Sequence, residues 1–188
     1  MSGHTPHKMY YIAIVCPEEI NKKVLDYKLW MRDRFGCTVA LKSPAHITLI
    51  PPFWLAEERE KELHAALQSF SGYNSKPEIQ LDNFSRFGKR VLFIHVKENP
   101  ALEELKKQAE NHFVKSFTDV IRIDERPFHP HVTIAGRDLK PGDFVKAWPY
   151  FAQKKFEEIF FVSNISLLKL EDGKWNVIGE NNFDINRP

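Results

Sequence analysis

Apolar and polar residues alternate over two short segments that share one pattern. His46-Ile47-Thr48-Leu49 and His131-Val132-Thr133-Ile134 both read His, apolar, Thr, apolar. A period of two predicts a half-buried β-strand. Successive side chains of a strand point to opposite faces, so each His shares one face with its Thr, while the apolar pair anchors the other face in a core.

The hydrophobic pattern before the first of these segments predicts a strand and then a helix. Tyr10 to Val15 is a β-prone apolar run. The helix is expected to begin at Pro17, which suits a first turn, and to end at Gly36. Its apolar face is predicted from helical spacing to contain Ile20, Val24, Leu25 and Leu29. We expect Pro51-Pro52 to end the strand that carries His46.

The rest of the chain predicts further helices at about residues 56–70, 100–113 and 143–152, the last kinked or shortened by Pro149. Strands are predicted at about 78–84, 90–97, 131–134, 156–162, 165–170 and 175–178. The order strand, helix, His-bearing strand therefore occurs twice, which indicates an internal duplication. We predict one domain over residues 1–188, with repeat halves at about 9–86 and 89–170 that form interleaved lobes facing each other across a cleft.

Composition narrows the function without deciding it. With 43% hydrophobic and 28% charged residues, the 188-residue chain has the composition of an ordinary globular protein. A net charge of +2 excludes bulk electrostatic capture of long nucleic acid, but it fits a small phosphorylated nucleotide or an RNA end. Cys16 and Cys37 lack metal spacing and no signal peptide is recognised, so we expect reduced thiols in a cytoplasmic protein. We expect a monomer and no membrane partner.

Two histidines and two threonines displayed in this way suit proton transfer at a phosphate. An imidazole has an unperturbed pKa of about 6.5, so one copy can act as a base and the other as an acid. Threonine hydroxyls can donate to the non-bridging oxygens, where negative charge accumulates. We therefore predict His46 and His131 as the catalytic pair and Thr48 and Thr133 as phosphate-binding residues, with no metal and no cofactor.

These motifs resemble those of the two-histidine (2H) phosphoesterase superfamily, whose signature is a pair of His-x-Thr/Ser motifs in duplicated lobes. The chain looks most like the bacterial 2'-5' RNA ligase-like proteins and cyclic phosphodiesterases. The similar segments are Ser43 to Leu49 and Phe128 to Ala135, within a likeness that spans about Met9 to Leu170. The resemblance implies a bilobal α+β fold, with two antiparallel sheets lining a central groove and helices outside. It also implies metal-independent hydrolysis of 2',3'-cyclic phosphates or 2'-5' phosphodiesters in nucleotides or RNA ends.

One position departs from the pattern of many relatives. They carry an arginine two residues after the apolar residue that ends the second motif, whereas Gly136 stands there in this chain and Arg137 follows. Arg137 is a candidate substitute for that phosphate contact. The other candidate substrate contacts are Phe53, Trp54 and Phe128 for stacking a base, and Arg126 for steering an anion. Packing in a core remains the alternative for each aromatic ring, and plain solvation for each charge.

Four other hypotheses remain open at this point. His129 and His131 are two apart and could share a metal, although no acidic or Cys partner stands at a recognisable spacing. The chain could be a non-catalytic RNA- or nucleotide-binding protein, or a structural domain without a ligand. It could also be a reversible 2'-5' RNA ligase. Turnover of a cyclic nucleotide separates an enzyme from a binding protein.

Overall fold

The computed structural model describes residues 6–71 and 77–183, and within them the chain forms eight strands and four helices. The strands are β1 (His7–Val15), β2 (His46–Ala56), β3 (Glu78–Phe87), β4 (Val91–Val96), β5 (His131–Ala135), β6 (Glu157–Phe161), β7 (Asn164–Glu171) and β8 (Lys174–Asn182). The helices are α1 (Glu18–Phe35), α2 (Glu60–Ser69), α3 (Pro100–Ser116) and α4 (Pro141–Ala152). The predicted α+β class is confirmed.

The strands form two antiparallel four-stranded sheets, and the His-bearing strands lie at their edges. The first sheet has the order β2-β1-β7-β8 and the second has the order β5-β4-β3-β6. The edge strands β2 and β5 contact each other. Helix α1, which connects β1 to β2, packs against β5 of the other sheet, and α3 packs against β2. The two sheets are therefore joined where the two His-x-Thr segments lie.

Each sheet takes strands from both of the predicted repeat halves. Strand β3 precedes the second half in sequence yet lies beside β4, and β7 lies beside β1 although it comes late in the chain. The units β1-α1-β2 and β4-α3-β5 nevertheless have the same order, and each ends on an edge strand. The duplication itself stays a prediction.

The apolar residues of the two motifs hold the His-bearing strands in register. Ile47 and Leu49 are 0% exposed, Val132 is 0% exposed and Ile134 is 1% exposed, and all four belong to one core cluster. A slip of one residue would turn this whole set toward solvent, so the core fixes the register strongly. The same constraint keeps each His and Thr on the opposite, accessible face.

Helix α1 has the predicted bounds, but one buried position differs from the prediction. Pro17 precedes it, and Gly36 ends it at φ 70°. There the Gly36 N–H donates to the carbonyl of Arg32, and the Cys37 N–H donates to that of Met31. Leu25, predicted on the apolar face, is 45% exposed, whereas Lys28 is 4% exposed. A helical pattern alone could not predict a buried lysine.

The prediction that Pro51-Pro52 ends the second strand is wrong. Strand β2 continues to Ala56, and both prolines are exposed within it. Tyr10 pairs with Phe53 and Ile12 pairs with Ile50, so β2 carries one extra residue opposite β1 at the prolines. Proline is tolerated at such a bulge and on an edge strand, because neither needs its missing N–H.

Three other predicted boundaries move for local reasons. Helix α2 begins at Glu60, because β2 extends to Ala56 and a 3-10 turn follows it. Helix α4 begins at Pro141 and continues past Pro149 to Ala152, so that proline does not shorten it. Strand β8 runs to Asn182, since it pairs along the whole of β7.

Cys16 and Cys37 are buried free thiols, as predicted. Among the described residues, no helix is both long enough and apolar enough to cross a membrane.

Candidate active site

The first motif lies at the start of β2, on the accessible face of the first sheet. His46 pairs with Val15 of β1, and Thr48 pairs with Ala13. Both His46 and Thr48 are half-buried. Thr48 therefore follows His46 along one face, as the alternation predicted.

The second motif has the same arrangement at the start of β5. His131 pairs with His95 of β4, and Thr133 pairs with Phe93. His131 and Thr133 are half-buried as well. His95, directly opposite His131, is exposed.

The two motif histidines come from different sheets and lie within electrostatic reach of each other. Their strands form adjoining sheet edges, and the charge of His131 contributes to lowering the pKa of His46. An acid and a base on opposed elements are what displacement at a phosphorus atom between them requires.

Both imidazoles are anchored through the same nitrogen and in the same way. His46 Nδ1 lies 2.8 Å from the carbonyl oxygen of Pro44, and His131 Nδ1 lies 2.7 Å from that of His129. A carbonyl only accepts, so we assign the proton to Nδ1 in each ring. Each Nε2 then carries the lone pair in the neutral form and is the nitrogen available to take or give a proton.

The segment that orients His46 is fastened by two side chains of α1. The Asn21 amide accepts from the Ala45 N–H at 2.5 Å and donates to the Cys16 carbonyl at 2.5 Å. Lys28 Nζ donates to the Ser43 carbonyl at 3.0 Å. These contacts hold the residues on both sides of Pro44, whose carbonyl orients the His46 ring.

Asp138 connects the two motif regions. It follows β5, and its Oδ2 accepts from the N–H groups of Thr38 at 2.6 Å and Val39 at 2.9 Å, in the turn that precedes β2. This carboxylate therefore ties the end of the second motif to the approach of the first.

Aromatic rings support both imidazoles, and sequence reasoning missed them. The Tyr11 ring centroid is 4.9 Å from that of His46. Phe87 and Phe93 lie 5.0 Å and 5.1 Å from His131. Tyr11 of β1 and Phe93 of β4 lie beside the histidines because β1 neighbours β2 and β4 neighbours β5, and this strand order cannot be read from either segment alone.

A cavity of about 930 Å³ opens beside Thr48, and we name it the α3 cavity. Its walls come from β2 (Thr48, Leu49 and Pro51), from Phe87, from α3 (Glu103, Lys106, Lys107 and Glu110) and from residues between Ile123 and His129. Lys106 and Glu110 of α3 form an ion pair at this wall, and both are nearly buried. The cavity has the size of a ligand site and adjoins a predicted phosphate-binding residue.

A family model described as the 2'-5' RNA ligase superfamily matches residues 17–174, a span that contains both motifs. The chain belongs to this superfamily. The resemblance drawn from the paired His-x-Thr motifs is thereby confirmed.

Proteins with curated names are distant relatives of the chain. A protein of Geobacillus sp. (strain WCH70) is 25% identical over 163 residues, which are 84% of this chain and 88% of that protein. Its name describes a phosphoesterase and specifies no substrate. The RNA 2',3'-cyclic phosphodiesterase of Bacillus subtilis (strain 168) is 25% identical over 143 residues, 69% of this chain and 70% of that protein. The superfamily therefore places the chain among phosphoesterases.

Solved structures share the fold of this chain over almost its whole length. TT0787 of Thermus thermophilus aligns with a TM-score of 0.64 and 17% identity, covering 95% of this chain and 100% of that one. E. coli LigT complexed with 3'-AMP aligns with a TM-score of 0.64 and 18% identity, covering 95% and 99%. At these identities the likeness establishes the fold alone.

Burial lowers the pKa of both motif histidines, His46 and His131. Desolvation disfavours the imidazolium and lowers the pKa of His46 to about 4, with smaller contributions from Lys28 and His131. Desolvation also lowers the pKa of His131, and the neighbouring His129 adds to this. Hydrogen bonds to the backbone carbonyls oppose both shifts. Both rings are therefore neutral at pH 7 before an anion binds.

The structure separates the five predicted substrate contacts. Arg126 and Phe128 line the α3 cavity, where Arg126 pairs with Asp124. The prediction for Phe53 is wrong, because it is 6% exposed and packs against Tyr10 in the core. Trp54 is 56% exposed and lies further along β2, outside the cavity wall.

Arg137 is exposed just beyond β5 and is not part of the α3 cavity. Its role as a substitute phosphate contact stays a prediction.

Across the described ranges, no group of three or more His, Cys, Asp and Glu side chains is arranged to hold a metal ion. His129 contributes its carbonyl to orient His131, which gives it a role that needs no metal.

Proposed function

We propose that the chain is a metal-independent phosphodiesterase that hydrolyses 2',3'-cyclic phosphates or 2'-5' phosphodiester linkages of nucleotides or RNA ends. The matched anchoring of His46 and His131 through Nδ1 carries this proposal. It presents two Nε2 atoms, each on its own sheet edge, as a base and an acid for one phosphate. We further propose that the chain acts as a monomer in the cytoplasm.

In the proposed reaction, water attacks the phosphorus of a cyclic phosphate. One neutral imidazole removes a proton from the water as the new P–O bond forms. The other imidazolium gives a proton to the ribose oxygen that leaves, which yields a phosphate monoester on the remaining ribose oxygen. Thr48 and Thr133 donate to the non-bridging oxygens, where charge accumulates in the transition state.

We assign the base to His46 and the acid to His131. His46 lies close to the nearly buried ammonium of Lys28, which disfavours a second positive charge there. A base must be neutral before the reaction, and this environment keeps His46 neutral. In ligation a 5'-hydroxyl replaces water as the nucleophile, and the two roles stay the same. They exchange in the reverse of ligation, the cleavage of a 2'-5' linkage to a cyclic phosphate.

The α3 cavity accommodates the nucleoside in this proposal. Phe128 offers a half-buried ring for stacking a base, and Ile123 adds an exposed apolar side chain nearby. E. coli LigT has been solved in complexes with 3'-AMP, NADP+ and ATP, all of them nucleotides. A Bacillus subtilis relative bears the name RNA 2',3'-cyclic phosphodiesterase. Both observations support a nucleotide or RNA end as the substrate.

The direct test is a turnover screen in the presence of chelator. Nucleoside 2',3'-cyclic phosphates and 2'-5' dinucleotides are incubated with protein dialysed against EDTA, and the products are separated by chromatography. We expect turnover to persist, since imidazolium and hydroxyl groups stabilise the phosphate charge.

Each other outcome of the screen points elsewhere. Turnover that EDTA abolishes and zinc or manganese restores would contradict the metal-free mechanism. Binding without turnover would favour the non-catalytic nucleotide-binding protein. Joining of RNA ends through a 2'-5' linkage would add the ligase activity for which the superfamily is named.

The lowered histidine pKa values predict the pH dependence of that turnover. One ring must be neutral and one protonated, so kcat/KM should be bell-shaped and should report the free enzyme. Because burial lowers the pKa of both rings, both limbs should lie on the acidic side of about 6.5, the ordinary pKa of histidine. A bound anionic phosphate stabilises imidazolium, so the limbs of kcat should lie at higher pH.

Initial rates measured from pH 4 upward over a range of substrate concentrations give both profiles. The limbs belong to the coupled pair and not to either ring. A kcat/KM optimum well above pH 7 would contradict the effect of burial on these two groups.

A further inference from the structure

A second cavity lies at the approach to His46, and we name it the basic pocket. It has a volume of about 420 Å³ and lies between the N-terminal half of α1, the Ser43–Ala45 segment and the start of β8. The residues on which the inference rests are Glu18, Lys22, Lys28, Lys42, Lys174 and Trp175. The α3 cavity adjoins β2 after His46, whereas the basic pocket adjoins the chain before it.

The charges of the basic pocket are strongly unbalanced. Four lysines and one glutamate line it. Glu18 is committed to Lys22, at 2.9 Å. Lys28, Lys42 and Lys174 form no ion pair with any carboxylate of the described ranges.

Lys28 is the most informative of these lysines because it is 4% exposed. Its ammonium makes one hydrogen bond, to the Ser43 carbonyl, although an ammonium has three donors. Burial lowers its pKa to about 8, so it remains mostly charged at neutral pH. A buried cation without a counter-ion is costly, and an anion in the pocket would reduce that cost.

The α3 cavity differs in its charge balance. Three acidic and three basic side chains line it, and four of them form two ion pairs, Lys106 with Glu110 and Arg126 with Asp124. A neutral nucleoside suits such a cavity. The basic pocket suits an anion.

The basic pocket is also connected with the catalytic centre. The Trp175 ring lies 4.6 Å from that of Tyr11, which in turn lies 4.9 Å from His46. Pro44, at the pocket wall, provides the carbonyl that orients His46. The wall of the basic pocket is therefore linked to His46 through one ring, Tyr11, and through the Pro44 carbonyl.

We propose that the basic pocket is a second anion subsite, which binds a phosphate group of the substrate other than the one that reacts. This inference rests on the proposed function and refines its substrate class. The preferred substrate carries at least two phosphates, as an oligonucleotide end or a nucleotide with a further phosphate does. A nucleoside cyclic phosphate fills only the reacting position and the α3 cavity.

The kinetic test compares substrates that differ by one phosphate. A nucleoside 2',3'-cyclic phosphate is set beside its 5'-phosphorylated form and beside a dinucleotide ending in the cyclic phosphate. We expect the second phosphate to raise kcat/KM of the unmodified protein about tenfold. In the double variant Lys42→Gln with Lys174→Gln, the ratio of kcat/KM between the substrates with and without that phosphate should fall to near one. The matched control is Lys61→Gln with Lys115→Gln, which removes the same charge outside both cavities and should leave the ratio intact.

Calorimetry separates failure of the subsite from failure of the proposed function. Adenosine 3',5'-bisphosphate should bind more tightly than adenosine 3'-monophosphate. This difference in affinity should disappear in the variant Lys42→Gln with Lys174→Gln. If the bisphosphate keeps this advantage while no cyclic phosphate is turned over, the subsite stands and the proposed function fails. If cyclic phosphates are turned over at a ratio that Lys42→Gln with Lys174→Gln does not change, the subsite is refuted and the function stands.

Inorganic phosphate distinguishes the two sources of the anion. In one outcome, inorganic phosphate binds and the variant Lys42→Gln with Lys174→Gln abolishes this binding, while the bisphosphate has no higher affinity than the monophosphate. The pocket then binds free phosphate, and the substrate subsite is refuted.

Discussion

Replacing either motif histidine by alanine should reduce kcat by about 10²–10⁴-fold, the usual cost of losing a general acid or base. His46→Ala removes the proposed base and His131→Ala the proposed acid. The measurement is steady-state turnover of a nucleoside 2',3'-cyclic phosphate. His95→Ala is the matched control, since His95 lies opposite His131 on β4 and is exposed. A loss of similar size in this control would mean that the face as a whole, and not proton transfer, had been disturbed.

The double variant tests whether the two rings act in one mechanism. Residues that act as a unit are strongly non-additive, so removing both histidines should cost little more than removing one. Strictly multiplicative losses would contradict a shared step.

A leaving group that needs no proton should separate the two roles. In a cyclic phosphorothiolate with a bridging sulfur, the sulfur leaves as a thiolate without help from an acid. We expect His131→Ala to recover most of its lost rate on this substrate and His46→Ala to recover little. Recovery by His46→Ala alone would reverse the assignment of base and acid.

The motif residues could be predicted from sequence because their signal is local. Alternation over four positions specifies which side chains share a face, and the apolar partners Ile47 and Val132 are fully buried as that pattern requires. The helix α1 had similarly local signals at Pro17 and Gly36. These predictions needed no knowledge of which strands are neighbours.

The surroundings of the motifs depend on strand order and could not be predicted. Tyr11 supports His46 only because β1 lies beside β2, and Phe93 supports His131 only because β4 lies beside β5. The α3 cavity likewise requires α3 to pack against the strand of the other motif. Pairing between sequence-distant segments leaves no periodic signal in either one.

Two errors came from applying a local rule without its tertiary context. Pro51-Pro52 signals the end of a strand, but a bulge at a sheet edge removes the need for the N–H groups that proline lacks. Phe53 was assigned to substrate by its closeness to His46 in sequence. Phe53 is an even number of positions from Ile47 and Leu49, so strand alternation places it on their face, where it packs into the core against Tyr10.

Replacing the motif threonines by valine should cost less than replacing the histidines, on the order of 10–10³-fold in kcat. Valine keeps the shape of threonine and removes the hydroxyl donor. The negative charge on the non-bridging oxygens is greatest in the transition state, so the loss should fall mainly on kcat and less on KM. Thr48→Val should also raise KM, because Thr48 lines the α3 cavity and Thr133 does not.

Serine variants provide the control for these threonine changes. Thr48→Ser and Thr133→Ser keep the hydroxyl and lose a methyl group, so each should retain most of the rate that its valine counterpart loses. The two threonines are half-buried at a sheet edge, so the serine change also reports any cost from looser packing. If serine and valine lost the same rate, packing and not hydrogen bonding would be the cause. If valine raised KM with kcat unchanged, the hydroxyls would bind the substrate and its transition state equally, and the proposed stabilisation of developing charge would be refuted.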